Sequence, residues 1–557
     1  MSKEALEKIH QQVMWNRLIA VVEEQAQAIL RTAFGSIVRE AGDLSAGVYN
    51  LEGQMLAQAV TGTPGHVNTM ARAVDHFLVR YPVDGMKPGD VYVTNDPWLG
   101  TGHLFDFVVV SPAFYKDKIV ALFASTCHVI DIGGRGFTAD AASVFEEGVN
   151  IPHMKLRSVG VLNDDLMRLI ESNSRNPVEV KGDILSLVSC NDTGAARLQE
   201  MMAEFDLDSI APLGTFIMDN SREAMIKAIK AVPNGLYDTE MELDGYESPV
   251  FLRAAMTVSD EEIVIDYAGT SRASIHGINS PLCYTEAYTC FGLKCIVAPA
   301  VPNNHGSLEV FRVVAEEGSA VHPLHPSPVT ARHVIGQMLP DVAFGCLSKA
   351  LNGQVPAESA GSIWVLPMQN AGGEGQAGNA ARFNVMNVGM GGIGARPGKD
   401  GLSVTAFPSG IGAVPVEVTE ADSPLVFWRK EFAADSGGPG TFRGGLGQII
   451  EIGNSEDAPF TISAATFDRM RNAPRGRDGG GKGAPGRARL ASGHEYHDKS
   501  VHTIPEGERF IVELPGGGGL GDPHQRAPAA IAADLESGFV TPEGAARDYA
   551  YKPEQDS

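Results

Sequence analysis

The chain is poor in the features that mark secreted, membrane-bound or phosphate-binding proteins. Its 557 residues include only six cysteines, at positions 127, 190, 283, 290, 295 and 346, and no two form a CxxC pair. Neither a disulfide framework nor a thiolate metal knuckle is expected. No uninterrupted apolar run approaches the roughly 18 residues of a membrane span, and Met1-Ser2-Lys3-Glu4 leads into a charged amphipathic stretch, not an apolar signal core. These absences predict a reduced, cytoplasmic protein with no membrane partner. Basic residues are also scarce. Lys and Arg total 44 against 68 Asp and Glu, a net charge of −24, which argues against nucleic acid as a partner. No GxxxxGK[ST] loop occurs, and no internal repeat.

Glycine is abundant, with 63 copies where an average of about 7% would supply far fewer. That excess predicts many turns in a strand-rich body. The expected class is α+β: a large, mixed, multi-layer body with antiparallel-rich sheets, an N-terminal αβ region and a Gly-rich β C-terminal half. Composition shifts suggest domains at 1–235, 236–450 and 451–525, with a helical surface tail at 526–557. Residues 5–33 carry Val13, Ile19, Val22 and Ala26 at helical spacing. A hairpin is expected over Leu44–Asn50 and Met55–Val60, then a helix at Val67–Leu78. Strands follow at Asp90–Thr94, Phe105–Val110 and Ile119–Cys127, with a turn at Lys116-Asp117. Residues 163–232 read as helical behind an Asn163 cap. Further on, Gly389–Gly394 reads as a strand bend or substrate-facing turn, Gly479–Gly486 as an exposed loop, and Gly516–Gly519 as a tight bend. The basic run Arg469, Arg471, Arg475 and Arg477 reads as a solvated loop or a docking patch for a partner protein.

The stretch richest in chemistry is Thr94-Asn-Asp-Pro-Trp-Leu-Gly-Thr-Gly-His-Leu-Phe-Asp106, followed across the turn by Cys127-His-Val-Ile-Asp-Ile-Gly-Gly134. In an antiparallel pair the start of one strand faces the end of its partner. His103, Asp106 and His128 therefore converge on one sheet edge as a divalent-metal set. Asp43 is the best candidate for a further ligand and Glu40 its rival. The plainer reading of an HxxD spacing is a turn-capping Asp and a solvent-facing His. Asp131, His66 and Glu147 stand near enough in the pattern to serve as general bases or supports.

These blocks resemble the hydantoinase B family, which contains the beta subunits of ATP-dependent N-methylhydantoinases and lactamases. The family also takes in the C-terminal part of 5-oxoprolinases and subunits of acetone and acetophenone carboxylases. The resemblance runs through Arg31–Phe34, Gly89–Asp106, His128–Gly134, Glu147–Pro152, Asp266–Ser271, Val301–Asn304, Gly391–Gly398, Asp435–Gly440, Arg443–Gly447 and Pro515–Pro523. It implies metal ligands at Asp43, His103, Asp106 and His128, holding one Zn or Mn ion. It also implies a hydantoinase A-type partner subunit carrying ATP and Mg, in an α2β2 assembly that opens a small cyclic amide. The alternative it leaves is a subunit of an ATP-dependent ketone carboxylase. The chain departs from the family where Gly100-Thr-Gly-His103 replaces Gly-Gly-Thr-His, where Val129 replaces a second His, and where Ala331-Arg-His-Val334 replaces a Gly-Asn-Val pattern.

Overall fold

A computed structural model describes residues 3–60, 63–361, 363–371 and 383–551. Its largest sheet is antiparallel and has seven strands: β1 (Leu44–Tyr49), β2 (Met55–Gln58), β3 (Val91–Thr94), β4 (Asp106–Tyr115), β5 (Lys118–His128), β6 (Met154–Ser158) and β7 (Val161–Leu162), in spatial order β2-β1-β5-β4-β3-β6-β7. β4 and β5 are buried on both faces, which is why Phe107–Val110 reads as an unbroken apolar run rather than an alternation. Val108, Val110 and Leu122 pack under Met70, Val74 and Phe77 of the helix Pro64–Arg80. Ala121 and Phe123 meet Leu18, Val21 and Val22 of the helix Lys3–Thr32 on the opposite face. Each of the larger of these fully buried side chains contributes about 1.5–3 kcal/mol over its exposed state. Val13 was expected on this buried face but is 49% exposed.

One irregularity decides what the sheet edge presents. Lys116 and Asp117 both take positive φ in the two-residue turn between β4 and β5, so Tyr115 lies opposite Lys118. A bulge between Ala113 and Phe114 then shifts the pairing by one residue, and Asp106 arrives opposite His128. Without the bulge Asp106 would face Cys127, because a one-residue slip reverses every side chain.

Helices Asp164–Asn173, Pro177–Glu204 and Ala211–Ile229 follow, the first capped by the Asn163 side chain on Leu166 N. A four-stranded sheet holds strands Gly235–Leu243, Val250–Val258, Ile263–Asp266 and Phe311–Val314. Two C-terminal sheets each draw strands from both sides of residue 450: Trp364–Asn370 pairs with Phe460–Ser463, and Leu425–Phe432 with Gln448–Asn454. The tail forms helices Pro528–Glu536 and Pro542–Tyr549, clasped by Arg526 between Asp400 and Asp534.

The glycine and arginine runs differ from their sequence reading. Gly516–Gly519 is not a bend, since none of the four is left-handed. It is a straight strap whose N–H groups donate in turn to Ala484, Gly445, Glu358 and Gly481 carbonyls. A Cβ on any of them would lie 1.9–2.2 Å from a neighbouring carbonyl oxygen, so absence of a side chain, not turning, is what the run supplies. The supposed exposed loop at 479–486 is one wall of this packing, with Gly483 and Gly486 buried. Gly392 and Gly394 press on backbone at Gly445 and Ala357, not on a substrate space. The basic run divides: Arg469 is 1% exposed and turns inward to share the Glu358 carboxylate with Arg475, whose side chain stays half exposed, while Arg471 is exposed as a solvated loop predicts.

Candidate metal centre

The loop entering β4 is held by Asn95, whose side chain donates to the Leu104 carbonyl and accepts from Ile151 N. Within it Gly102 sits at φ +99°, where a Cβ would strike Arg332 Cδ at 2.5 Å and Nε at 2.7 Å. This glycine is required both by its left-handed backbone and by the arginine laid against it. His103 and Asp106 follow at the strand entry, with His128 opposite, and His128 N donates to the Asp43 carbonyl at 3.1 Å. His103, Asp106 and His128 each offer a ligand atom, all within 4.8 Å of one another and all buried. Phe105 stacks on the His128 ring and Phe137 stands edge-on to both imidazoles, which fixes their planes.

The hydrogen bonds define the lone pairs. His103 Nδ1 lies 2.9 Å from the Thr330 carbonyl, which only accepts, so Nδ1 carries the proton. Burial and the Arg332 charge lower the His103 pKa to about 3, which keeps the ring neutral and Nε2 bare. That bare nitrogen sits 2.8 Å from Asp106 Oδ1. Burial alone would raise the Asp106 pKa, but the neighbouring cationic groups His66 and Arg332 hold it well below the carboxylate range. Two lone pairs therefore face each other at hydrogen-bonding distance, an arrangement that a cation between them satisfies. His128 approaches the same Oδ1 at 3.2 Å through Nδ1, while its buried Nε2 has no partner among the described residues. The donor set of two imidazoles and a carboxylate fits Zn or Mn.

The other expected site residues fall in three places. Asp43 lines the same cavity, and its Oδ1, 3.4 Å from His66 Nδ1, makes no hydrogen bond to a described residue. His66, at the first turn of its helix, lines the cavity too, with Nε2 3.0 Å from Asp106 Oδ2. Burial would lower its pKa, but Asp106 and Asp43 raise it. Glu147 lies behind the site: its Oε1 accepts from Val329 N and Thr330 N, holding the segment whose carbonyl sets the His103 tautomer. Burial raises Glu147 to about 7. Asp131 is turned to a different cavity, where Arg175 Nη1 donates to it at 2.6 Å and Arg175 N at 2.5 Å. Glu40, the rival to Asp43, pairs with Arg39 at the surface.

Sequence reading passed over Arg332. Its Nη2 donates to Asp106 Oδ2 at 2.5 Å and its Nε to Thr101 O at 2.8 Å, with the guanidinium 4.1 Å above the Tyr284 ring. The available signal was the Ala331–Val334 departure. The cavity enclosed by these groups is about 40 Å³, walled on its far side by Ile37, Val365, Met386, Val388 and Ile411.

A buried imidazole–carboxylate corner at the ends of two central strands of an antiparallel sheet, facing a small part-apolar cavity, defines a candidate metalloenzyme component. The chain belongs to the hydantoinase B/oxoprolinase family, whose model matches residues 7–523. It is 28% identical to a putative D-/L-hydantoinase B-type subunit of Pseudomonas sp. (strain NS671), over 98% of this chain and 95% of that one. The crystal structure of an ATP-dependent caprolactamase from Pseudomonas jessenii shares the fold, with TM-score 0.88 and 23% identity over 99% of this chain and 97% of that one. The nucleotide-free structure of an acetone carboxylase shares it as well, with TM-score 0.84 and 20% identity over 97% of this chain and 79% of that one.

Proposed function

We propose that the chain is the metal-dependent subunit of an ATP-dependent cyclic-amide hydrolase acting on a hydantoin, lactam or oxoproline-like ring in the cytoplasm. Its partner is a hydantoinase A-type subunit holding ATP and Mg, in an α2β2 complex. The observation that carries the reading is the bare His103 Nε2 facing Asp106 Oδ1 at 2.8 Å, a contact that calls for a cation. Relatives named as a hydantoinase subunit and a caprolactamase support the substrate class.

Amide resonance makes the ring carbonyl a poor electrophile, and phosphorylation of its oxygen on the partner removes that resonance. When bound, a divalent ion lowers the pKa of a coordinated water from 15.7 to about 7. Water adds to the activated carbon, the C–N bond breaks with a proton passing to nitrogen, and a second water releases phosphate from the acyl phosphate. One ring and one ATP thus consume two waters, giving ADP, phosphate and the ring-opened acid, an amino acid from a lactam or oxoproline and an N-carbamoyl amino acid from a hydantoin. Of the three candidate bases, His66 alone lines the cavity, and it is the residue proposed to carry the proton. His103, Asp106 and His128, with Asp43 beside them, would hold the ion, and the apolar wall of Ile37, Val365 and Val388 would keep bulk water from the intermediate.

The test is to co-express the chain with its ATP-binding partner and supply cyclic amides, ATP and labelled bicarbonate. Ring opening with one ADP per ring and no fixed label supports the proposal. Label in the product would replace it with a ketone carboxylase.

A further inference from the structure

Arg332 is the one arginine or lysine among the described residues that line the metal cavity. It is held rigidly. Nε is taken by Thr101 O, Nη2 by Asp106 Oδ2, and the flat face by Tyr284, so the guanidinium has one orientation. Nη1 makes no hydrogen bond to any described residue. Besides the Asp43, His66 and His128 atoms around the ion site, two polar atoms on the cavity wall, His333 Nε2 and Ser409 Oγ, are buried without partners among the described residues. A buried polar group left unused costs about 1–3 kcal/mol, and two of them beside a guanidinium nitrogen that makes no bond to a described residue mark a place where a ligand completes the bonding. A divalent ion beside Asp43, Asp106 and Arg332 leaves this space net positive, although the chain as a whole is strongly acidic.

We propose that Arg332, with His333 and Ser409, receives the phosphoryl group of the activated substrate through Nη1, while its other edge stays anchored to Asp106. The inference deepens the hydrolase reading, since it names the group by which the site knows its activated substrate. Guanidinium suits a phosphoryl oxygen because its planar donors match that geometry and its charge persists at every relevant pH. An unphosphorylated ring has nothing to offer Nη1, so the site discriminates against unactivated amide.

The experiment is equilibrium binding of inorganic phosphate to the full chain, with and without Zn or Mn, with bound metal quantified in parallel. The wild type is expected to bind phosphate only when metal-loaded. Arg332→Met should weaken it roughly 10- to 100-fold, the value of a hydrogen bond to a charged group, with metal content unchanged. Arg332→Lys should recover part of the loss. Phosphate binding in Arg332→Met within twofold of wild type overturns the proposal, as does a metal-loaded wild type that binds none. Joint loss of metal and phosphate in both variants also overturns it, because Arg332 would then only support Asp106. The two readings fail separately: a complex that opens no ring while the chain binds phosphate through Arg332 sinks the hydrolase and leaves the anion site.

Discussion

Two buried charged clusters in this molecule look alike by burial and differ in chemistry. Around Glu358 the carboxylate meets Arg475 Nε at 2.7 Å and Arg475 N at 2.9 Å, with Arg469 Nη1 at 3.4 Å. Acceptor faces donor at every contact, and the protein supplies its own counter-ions. Around Asp106 an acceptor nitrogen of His103 faces an acceptor oxygen, and Asp43 Oδ1 and His128 Nε2 are left over. Burial of charge is common to a structural knot and a working site. What separates them is the match at the contacts: donor meets acceptor around Glu358, even with Arg469 Nε left over, whereas acceptor meets acceptor around Asp106.

The comparison breaks most visibly at the imidazoles. His103→Ala or His128→Ala should strip the bound metal and abolish ring opening in the complex, an effect beyond the ~10–100-fold expected for an outer support residue. Metal analysis and turnover with ATP check it. Glu358→Ala should do the reverse, leaving metal content intact while stranding the buried Arg469 without its carboxylate. A loss of about 3–5 kcal/mol in denaturant unfolding is expected.

Glu147→Gln sharpens the boundary between the two regions, because Glu147 touches neither metal nor cavity yet fixes Thr330, the acceptor for His103. Metal affinity should fall about 10- to 100-fold, measured by chelator competition, with little change in fold. An unchanged affinity would show that the His103 tautomer does not depend on this support. The smallest effect concerns Asp341, beside Glu358. Burial, and then the Glu358 charge, raise it from 3.8 to about 7, so across that window the native state keeps a proton the unfolded chain has lost. The associated stability is present at acid pH and lost as pH rises toward 7. Asp341→Asn should flatten the dependence of Tm on pH between about 4 and 7, and an unaltered slope would contradict the assignment.

How much of this was written in the sequence follows from the range of each interaction. The meeting of Asp106 and His128 was legible because a two-residue turn and a hairpin are local objects. Asp43 was legible because it precedes the neighbouring strand, and His128 N bonds its carbonyl. The bulge at Ala113, which decides that Asp106 and not Phe105 meets His128, left no local signature. Arg332 reaches Asp106 across 226 positions, and nothing in its neighbourhood names that partner. The inward turn of Arg469 was hidden likewise, since Glu358 lies 111 positions away. Gly516–Gly519 was read as a bend because glycine permits both a turn and a close approach, and only the strands pressed on it decide which.

The account rests on a cation held between His103 and Asp106. X-ray absorption at the metal edge of the purified, Zn- or Mn-loaded chain tests it most directly. One ion per chain is expected, with imidazole scattering from two histidines and a carboxylate oxygen, at about 2.0–2.2 Å for Zn, and that imidazole signal should shrink in His128→Ala. A spectrum of oxygen ligands alone, or an imidazole signal untouched by the substitution, would contradict it.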